Sequence, residues 1–336
     1  MGPEDGIEAI VEAGLRVGYR HLDLAEIYST GPAVGRALAA SGVPRREVWL
    51  TSKLDGLPCG DYAEVKARVQ AMLAKVHGEQ GAGELGGEEG GHYFDLLLIH
   101  YPLPRGRDLA TEDPATMSRA EDFEWFQSNI REAWKNMVHL HRDGLVERIG
   151  VSNFYSQHIE VLDALVRDLG EDGVPVFANQ LFIDAAHPEK DLVEQLTRTG
   201  VAVLAYRPLA FMPNYVIVEE ISGPVSEALA AAGEGLTALQ PLVLEWLAAR
   251  GITPVCSSAN EAHLEGNLAA CAKGTGMGGT ADVPGGAPSP VFAAIEVLAA
   301  TLQSSPAADM VAMIGAVDEY AQAFRQQMAS GASGSS

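Results

Sequence analysis

The chain has 336 residues, 47% of them hydrophobic, enough to bury the core of one large α/β domain. Lys and Arg total 23 against 45 Asp and Glu, a formal net charge of −22. That excess repels phosphate backbones and anionic lipid, which argues against nucleic acid or a membrane surface as partner.

Short apolar runs rich in β-branched residues alternate along the chain with stretches of helical periodicity. A helix over residues 6–17 leads to a strand over 20–24, then a helix over 33–41 and a strand over 48–52. A helix over 62–77 precedes a strand over 94–99, and a helix over 130–143 precedes one over 148–151. The remaining pairs are a helix over 157–169 before a strand over 176–178, 188–198 before 202–205, and 239–250 before 253–256. This alternation predicts a parallel sheet with helical crossovers. A closed barrel and an open doubly wound sheet both fit it, but no Gly-x-Gly-x-x-Gly follows any strand.

The residues that end each run favour the barrel. In order they are Asp23, Lys53, His100, Ser152-Asn153, Asn179-Gln180, Tyr206 and Ser257-Ser258. Any one of them is an ordinary strand-end polar group. If all strands run the same way, the seven gather at the C-terminal mouth, where barrel active sites lie. Only a few residues precede the first helix, so the expected fold is a (β/α)8 TIM barrel lacking its first strand.

Residues 1–329 are read as one barrel domain, with flexible insertions at 78–91 and 273–290 and a disordered tail at 330–336. Cys59, Cys256 and Cys271 form no CxxC pair, which predicts reduced thiols and a cytoplasmic setting. No apolar run is long enough to span a bilayer, and the first residues do not form a signal peptide.

Asp23, Tyr28, Lys53 and His100 carry the chemistry. A phenol is a poor acid at neutral pH, with a pKa of about 10. A neighbouring ammonium is expected to lower that value, a carboxylate to hold the ammonium, and an imidazole to orient a substrate oxygen. Taken singly, Tyr28 reads as a loop aromatic and Lys53 as a surface lysine. The four together make a tuned acid facing a carbonyl, and the hydride must then come from a cofactor. One histidine at the mouth, with no second ligand at suitable spacing, gives no metal site.

Several segments resemble the motifs of aldo-keto reductases. Gly18-Tyr-Arg-His-Leu-Asp-Leu-Ala-Glu-Ile-Tyr28 is similar to the family's G-[FY]-R-H-x-D-[TS]-A-x-x-Y signature. Val48-Trp-Leu-Thr-Ser-Lys53 resembles its lysine strand, and Asp95-Leu-Leu-Leu-Ile-His100-Tyr-Pro its histidine motif. Gly144-Leu-Val-Glu-Arg-Ile-Gly-Val-Ser-Asn-Phe154, Asn179-Gln180 and Ala205-Tyr206-Arg-Pro-Leu209 follow in the family's order.

The resemblance implies an NADP(H)-dependent reductase of aldehydes and ketones, acting on a small molecule as a monomer. It makes Tyr28 the proton donor, Lys53 and Asp23 its pKa-lowering pair, and His100 the group that orients the carbonyl. It gives the nicotinamide carboxamide to Ser152, Asn153 and Gln180, and the stacking contact to Tyr206. Leu209 and its neighbours would line the pyrophosphate passage, with Arg207 as a further cation near phosphate. Ser258 and Asn267 are kept at the adenine end.

The adenine end also departs from the family. Ser257 and His263 stand where a lysine and an arginine are expected to hold the 2′-phosphate. Losing two charge-assisted contacts of about 1.5–3 kcal/mol each leaves NAD(H) open as cofactor. A barrel without this grip could also serve as a binding or regulatory module. Tyr101, Trp125 and Phe126 are candidates for an apolar substrate wall.

Overall fold

A computed structural model describes residues 3–78, 92–106, 120–185, 187–210 and 239–275, with positions 227 and 230. The expected tail and most of both expected insertions lie outside them. In chain order the elements are α1 (Pro3–Val17), β1 (His21–Asp23), α2 (Gly31–Ser41), β2 (Trp49–Leu54), α3 (Tyr62–His77) and β3 (Phe94–Ile99). Then come α4 (Ala120–Arg142), β4 (Val146–Ser152), α5 (Ser156–Leu169), β5 (Ala178–Phe182), α6 (Lys190–Arg198), β6 (Ala202–Tyr206), α7 (Leu239–Ala249), β7 (Ile252–Val255) and α8 (Glu261–Gly274).

The strand order is β1-β2-β3-β4-β5-β6-β7, and every pair whose register is defined is parallel. A doubly wound sheet reverses its order at a switch point; this sheet does not, which is the order of a (β/α) barrel. The seven strands found are the seven expected, and α1 precedes the first of them. No helix among the described residues is long and apolar enough to cross a membrane.

The chain forms two compact units. The first holds residues 3–180 and 194–202. Its central strand β3 is buried at every position, as expected of a parallel strand covered on both faces. The one charge in it, Asp95, is tolerated because Arg45 and the Leu50 amide both donate to its Oδ2 at 2.7 Å. Turn chemistry sets the helix limits. Asp61 accepts from the Ala63 amide at 3.1 Å to start α3, and Gly42, at φ 68°, ends α2 in the left-handed region. Helices α2 and α3 approach so closely that a Cβ on Gly35 would stand 2.0 Å from the Val76 carbonyl oxygen.

Of the described residues, the second unit holds 181–185, 187–193, 203–210 and 239–275, with positions 227 and 230. Within it, β6 pairs with β7 from Val203↔Ile252 to Tyr206↔Val255. Helix α7 buries seven of its eleven residues.

Strand β5 differs from expectation. The apolar run 176–178 predicts it, but the ladder runs over Ala178–Phe182. Polar Asn179 and Gln180 fit inside a buried strand because both amides are hydrogen-bonded, Asn179 Nδ2 donating to Phe154 O at 2.7 Å and Gln180 to Asp23. Helix α4 starts ten residues before the expected 130, and α8 is an addition, capped where Asn260 Oδ1 accepts from the Ala262 amide at 3.0 Å.

Candidate active site

Parallel pairing brings the ends of β1 to β5 to one side of the first unit, and the ladder runs past the end of β1. Leu24 N donates to Thr51 O and Glu26 N to Lys53 O, both at 2.8 Å. A turn closed by Tyr28 N donating to Ala25 O at 3.0 Å then swings the tyrosine back toward β2.

Lys53 is 1% exposed. Its ammonium pairs with Asp23 and donates to the Leu24 carbonyl at 3.0 Å. Gln180 Nε2 donates to the second Asp23 oxygen at 2.7 Å. Desolvating a lysine this fully is tolerated only because its charge is matched and its hydrogens are placed. The ammonium lies 5.4 Å from the centroid of the Tyr28 ring. His100 meets Tyr28 edge-on at 6.1 Å and stacks on Tyr101 at 4.4 Å. Its Nδ1 is buried and has no protein partner.

Asp23, Tyr28, Lys53 and His100 thus converge as expected, but the electrostatics at Tyr28 run the other way. Although 40% of the residue is exposed, burial of the rest pushes the phenol above its usual range. The Asp23 carboxylate and then Tyr101 add to the rise. His100 is pushed down to about 3, by burial first and then by Lys53, and so stays a neutral imidazole.

Ser152, Asn153 and Gln180 also meet. Ser152 Oγ donates to Gln180 O at 2.8 Å, and Asn153 N donates to the same carbonyl at 2.9 Å. The Asn153 amide donates to His100 O at 3.0 Å and to Ser152 Oγ at 3.1 Å. Asn153 sits at φ 61°, a left-handed turn that asparagine accepts more readily than most residues. Gln180 links this group to the first, because its carbonyl serves Ser152 and Asn153 while its amide holds Asp23.

The sequence reading passed over Glu26. Its carboxylate takes two hydrogen bonds from Arg68, at 2.9 and 2.6 Å, and one from the Asp55 amide at 2.9 Å. Burial alone would raise this carboxyl, but the bonds from Arg68 and Asp55 hold it below its usual range. Arg105 approaches at 3.3 Å, so the loops after β1, β2 and β3 are knitted together around one carboxylate. The available signal was the charge of Glu26, inside the motif between Asp23 and Tyr28. Of the candidate wall residues, Phe126 is fully buried among Phe123, Phe154 and His158 and belongs to the core.

In the second unit Tyr206 ends β6, its ring 5.8 Å from that of Phe182. Arg207 follows, exposed and at φ 53°, in a turn closed by Ala210 N donating to its carbonyl at 3.0 Å. Leu209 is half-buried, while Ser257 and His263 are exposed. Ser258 Oγ accepts from the Asn260 amide at 3.1 Å. Asn267 is buried, with Nδ2 donating to Cys256 Sγ at 3.7 Å and Oδ1 accepting from Gln240 at 3.2 Å. Its amide therefore packs α8 against its neighbours.

A parallel β/α sheet whose strands follow one another in chain order, with a matched lysine, a tyrosine and a neutral histidine near its strand ends, defines a protein of the (β/α) barrel class. The aldo/keto reductase family profile matches residues 2–275. The chain belongs to the aldo/keto reductase family. It is 27% identical over 269 residues to aldehyde reductase YPR1 of Saccharomyces cerevisiae, covering 79% of this chain and 78% of the relative. It is 30% identical over 273 residues to the glycerol 2-dehydrogenase (NADP(+)) of the same yeast, covering 78% and 77%. Among solved structures, an aldo-keto reductase of Bombyx mori in complex with NADP aligns with a TM-score of 0.61 and 22% identity, over 88% of this chain and 83% of that one. Giardia lamblia aldose reductase aligns at 0.62 and 22%, over 89% and 90%. These alignments share the barrel fold.

Proposed function

We propose that the chain is an NADP(H)-dependent reductase of aldehyde and ketone carbonyls, with Tyr28 as the proton donor. The observation that carries this reading is the fully buried Lys53, paired with the partly buried Asp23, beside the Tyr28 ring and the neutral His100. A buried lysine set against a half-exposed phenol has little structural use there. It suits a site where negative charge appears on the phenol during turnover.

The residues fit a nicotinamide cofactor at its reactive end. Ser152, Asn153 and Gln180 offer hydroxyl and amide groups beside the tetrad, and the buried Nδ1 of His100 has no hydrogen-bond partner among the described residues. Tyr206 offers a ring face, and Arg207 an exposed cation. When bound, the nicotinamide supplies the hydride. His100, held neutral, binds the carbonyl oxygen without competing as an acid. Tyr28 keeps its proton across the neutral range because its pKa is raised, and releases it to the oxygen as the alcohol forms. Lys53 then stabilises the phenolate left behind, and Asp23, braced by Gln180, keeps the ammonium in place.

NADP is the cofactor named for the Bombyx mori complex and the yeast dehydrogenase. Exposed Ser257 and His263 bring no permanent cation to a 2′-phosphate, so NADH is the cofactor to compare. Titrating NADPH and NADH into the chain while following cofactor fluorescence tests the assignment. Saturable binding of NADPH is expected; binding of neither would leave a barrel without reductase function.

A further inference from the structure

A second group of side chains lies at a strand end and has no part in the tetrad. Asp184 follows β5 and its side chain is 2% exposed. Its Oδ1 accepts from the His187 backbone amide at 2.8 Å and faces His187 Nδ1 at 3.0 Å. The Asp184 amide donates back to His187 O at 3.3 Å. The loop is thus locked by three bonds between two residues. The His187 ring, tied at Nδ1, lies against Phe182 at 5.1 Å and 37°. Phe182 in turn lies against Tyr206 at 5.8 Å and 35°. All four residues belong to the second unit.

We propose that Asp184 and His187 are positioning residues for the cofactor: through Phe182 they fix the face that Tyr206 presents to the nicotinamide ring. This rests on the stacking role given to Tyr206 above. Tyr206 is half-buried at the end of β6, where the ladder pairs it with Val255 of β7. Its ring has few constraints from the ladder alone, and a tilted aromatic row backed by a buried carboxylate supplies one.

The same geometry makes the link sensitive to protonation. The Asp184 hydrogen bond raises the His187 pKa; burial opposes it, and the charges of Asp184 and Glu189 add to the rise. Asp184 and Glu189 are the charged groups that face this ring. Protonated imidazole bonds the carboxylate more strongly than neutral imidazole does. The row is therefore tightest below the His187 pKa and loosens as pH rises through it.

Two measurements on the full chain test the proposal. The first needs no cofactor: the Tyr206 ring resonance, assigned by comparison with Tyr206→Phe, is followed by NMR from pH 5.5 to 8.5. It should titrate with the His187 pKa in the parent and stay flat in His187→Gln. A ring that does not respond in the parent overturns the coupling. The second is the NADPH dissociation constant of the parent, His187→Gln and Phe182→Leu over the same range. Comparing variants with the parent at each pH cancels titration of the cofactor phosphate. Each variant should bind about 3–10-fold more weakly at the acid end, on the scale of one aromatic contact, and approach the parent at the alkaline end. A pH-independent loss would mark a merely structural loop and overturn the proposal. If the parent binds no NADPH, the assigned function fails; a titrating Tyr206 signal would then uphold the row while removing its cofactor role.

Discussion

Both carboxylate oxygens of Asp23 are engaged at the centre of the site. One oxygen pairs with the Lys53 ammonium and the other takes the Gln180 amide. Gln180→Leu removes the donor and leaves a partly buried carboxylate oxygen unmatched, at a cost of about 1–3 kcal/mol. Because that carboxylate aims Lys53, the predicted result is a lower kcat together with a small fall in Tm, read from steady-state aldehyde reduction and a thermal melt. Unchanged turnover would show that Gln180 braces nothing. Removing a buried charge elsewhere separates stability from catalysis. Arg45 is the cation for Asp95 inside β3, with both side chains about one-tenth exposed. Arg45→Met strands that carboxylate, which is expected to destabilise the fold by about 3–5 kcal/mol. The protein that remains folded should turn over normally, and a denaturant melt with specific activity per folded molecule checks both halves.

Between the elements, close approach matters more than side-chain identity. Gly150 lies in β4 where a Cβ would stand 2.4 Å from the Ala178 carbonyl oxygen of β5. Gly150→Ala must push apart the pair whose register, Val151↔Asn179 and Ser152↔Gln180, assembles the amide group of the site. A loss of stability of about 1–3 kcal/mol is expected, with weaker NADPH binding in the folded fraction. An unperturbed Kd would detach the β4–β5 register from the cofactor site. The same strands show what the sequence could and could not convey. β3 was legible to the residue because five apolar residues in six positions, interrupted only by Asp95, have one reading. β5 was misplaced because Asn179 and Gln180 look like the end of a strand until their hydrogen-bond partners, far away in sequence, are known. Helix α8 was missed although Asn260 and Glu261 carry a capping signal, because its apolar positions are sparse. The tetrad was legible because the motif residues are themselves the reactive ones. Its electrostatics were not: the rise at Tyr28 comes first from burial and then from the charge of Asp23, and spacing encodes neither.

Among the described residues, burial is the first cause that lowers the pKa of four histidines, His21, His77, His100 and His158. His158 and His77 are each pushed down to about 4 and His100 to about 3. In the unfolded chain each would take up a proton below a pKa of about 6.5. Their folded pKa values are depressed, so the stability they permit is present above about pH 6.5 and is lost as pH falls toward 4 and 3. His187 has the opposite sign: its pKa is raised, so its contribution is full below about pH 6.5 and fades as pH rises through the folded value. Four against one predicts a Tm that falls steadily from pH 7 to pH 4, and His158→Phe should flatten part of that slope. A Tm independent of pH over this range would contradict the burial of these rings. The net charge of −22 adds self-repulsion, so added salt should raise Tm at neutral pH.

The most direct test of the tyrosine-based reductase is the Tyr28→Phe substitution, which removes one oxygen and leaves the ring. NADPH binding is measured by fluorescence titration and aldehyde reduction by loss of NADPH absorbance. The expected result is binding close to that of the parent with turnover lower by about 100-fold or more, on the scale of a lost general acid. Retained turnover with the phenol gone would contradict the account at its centre.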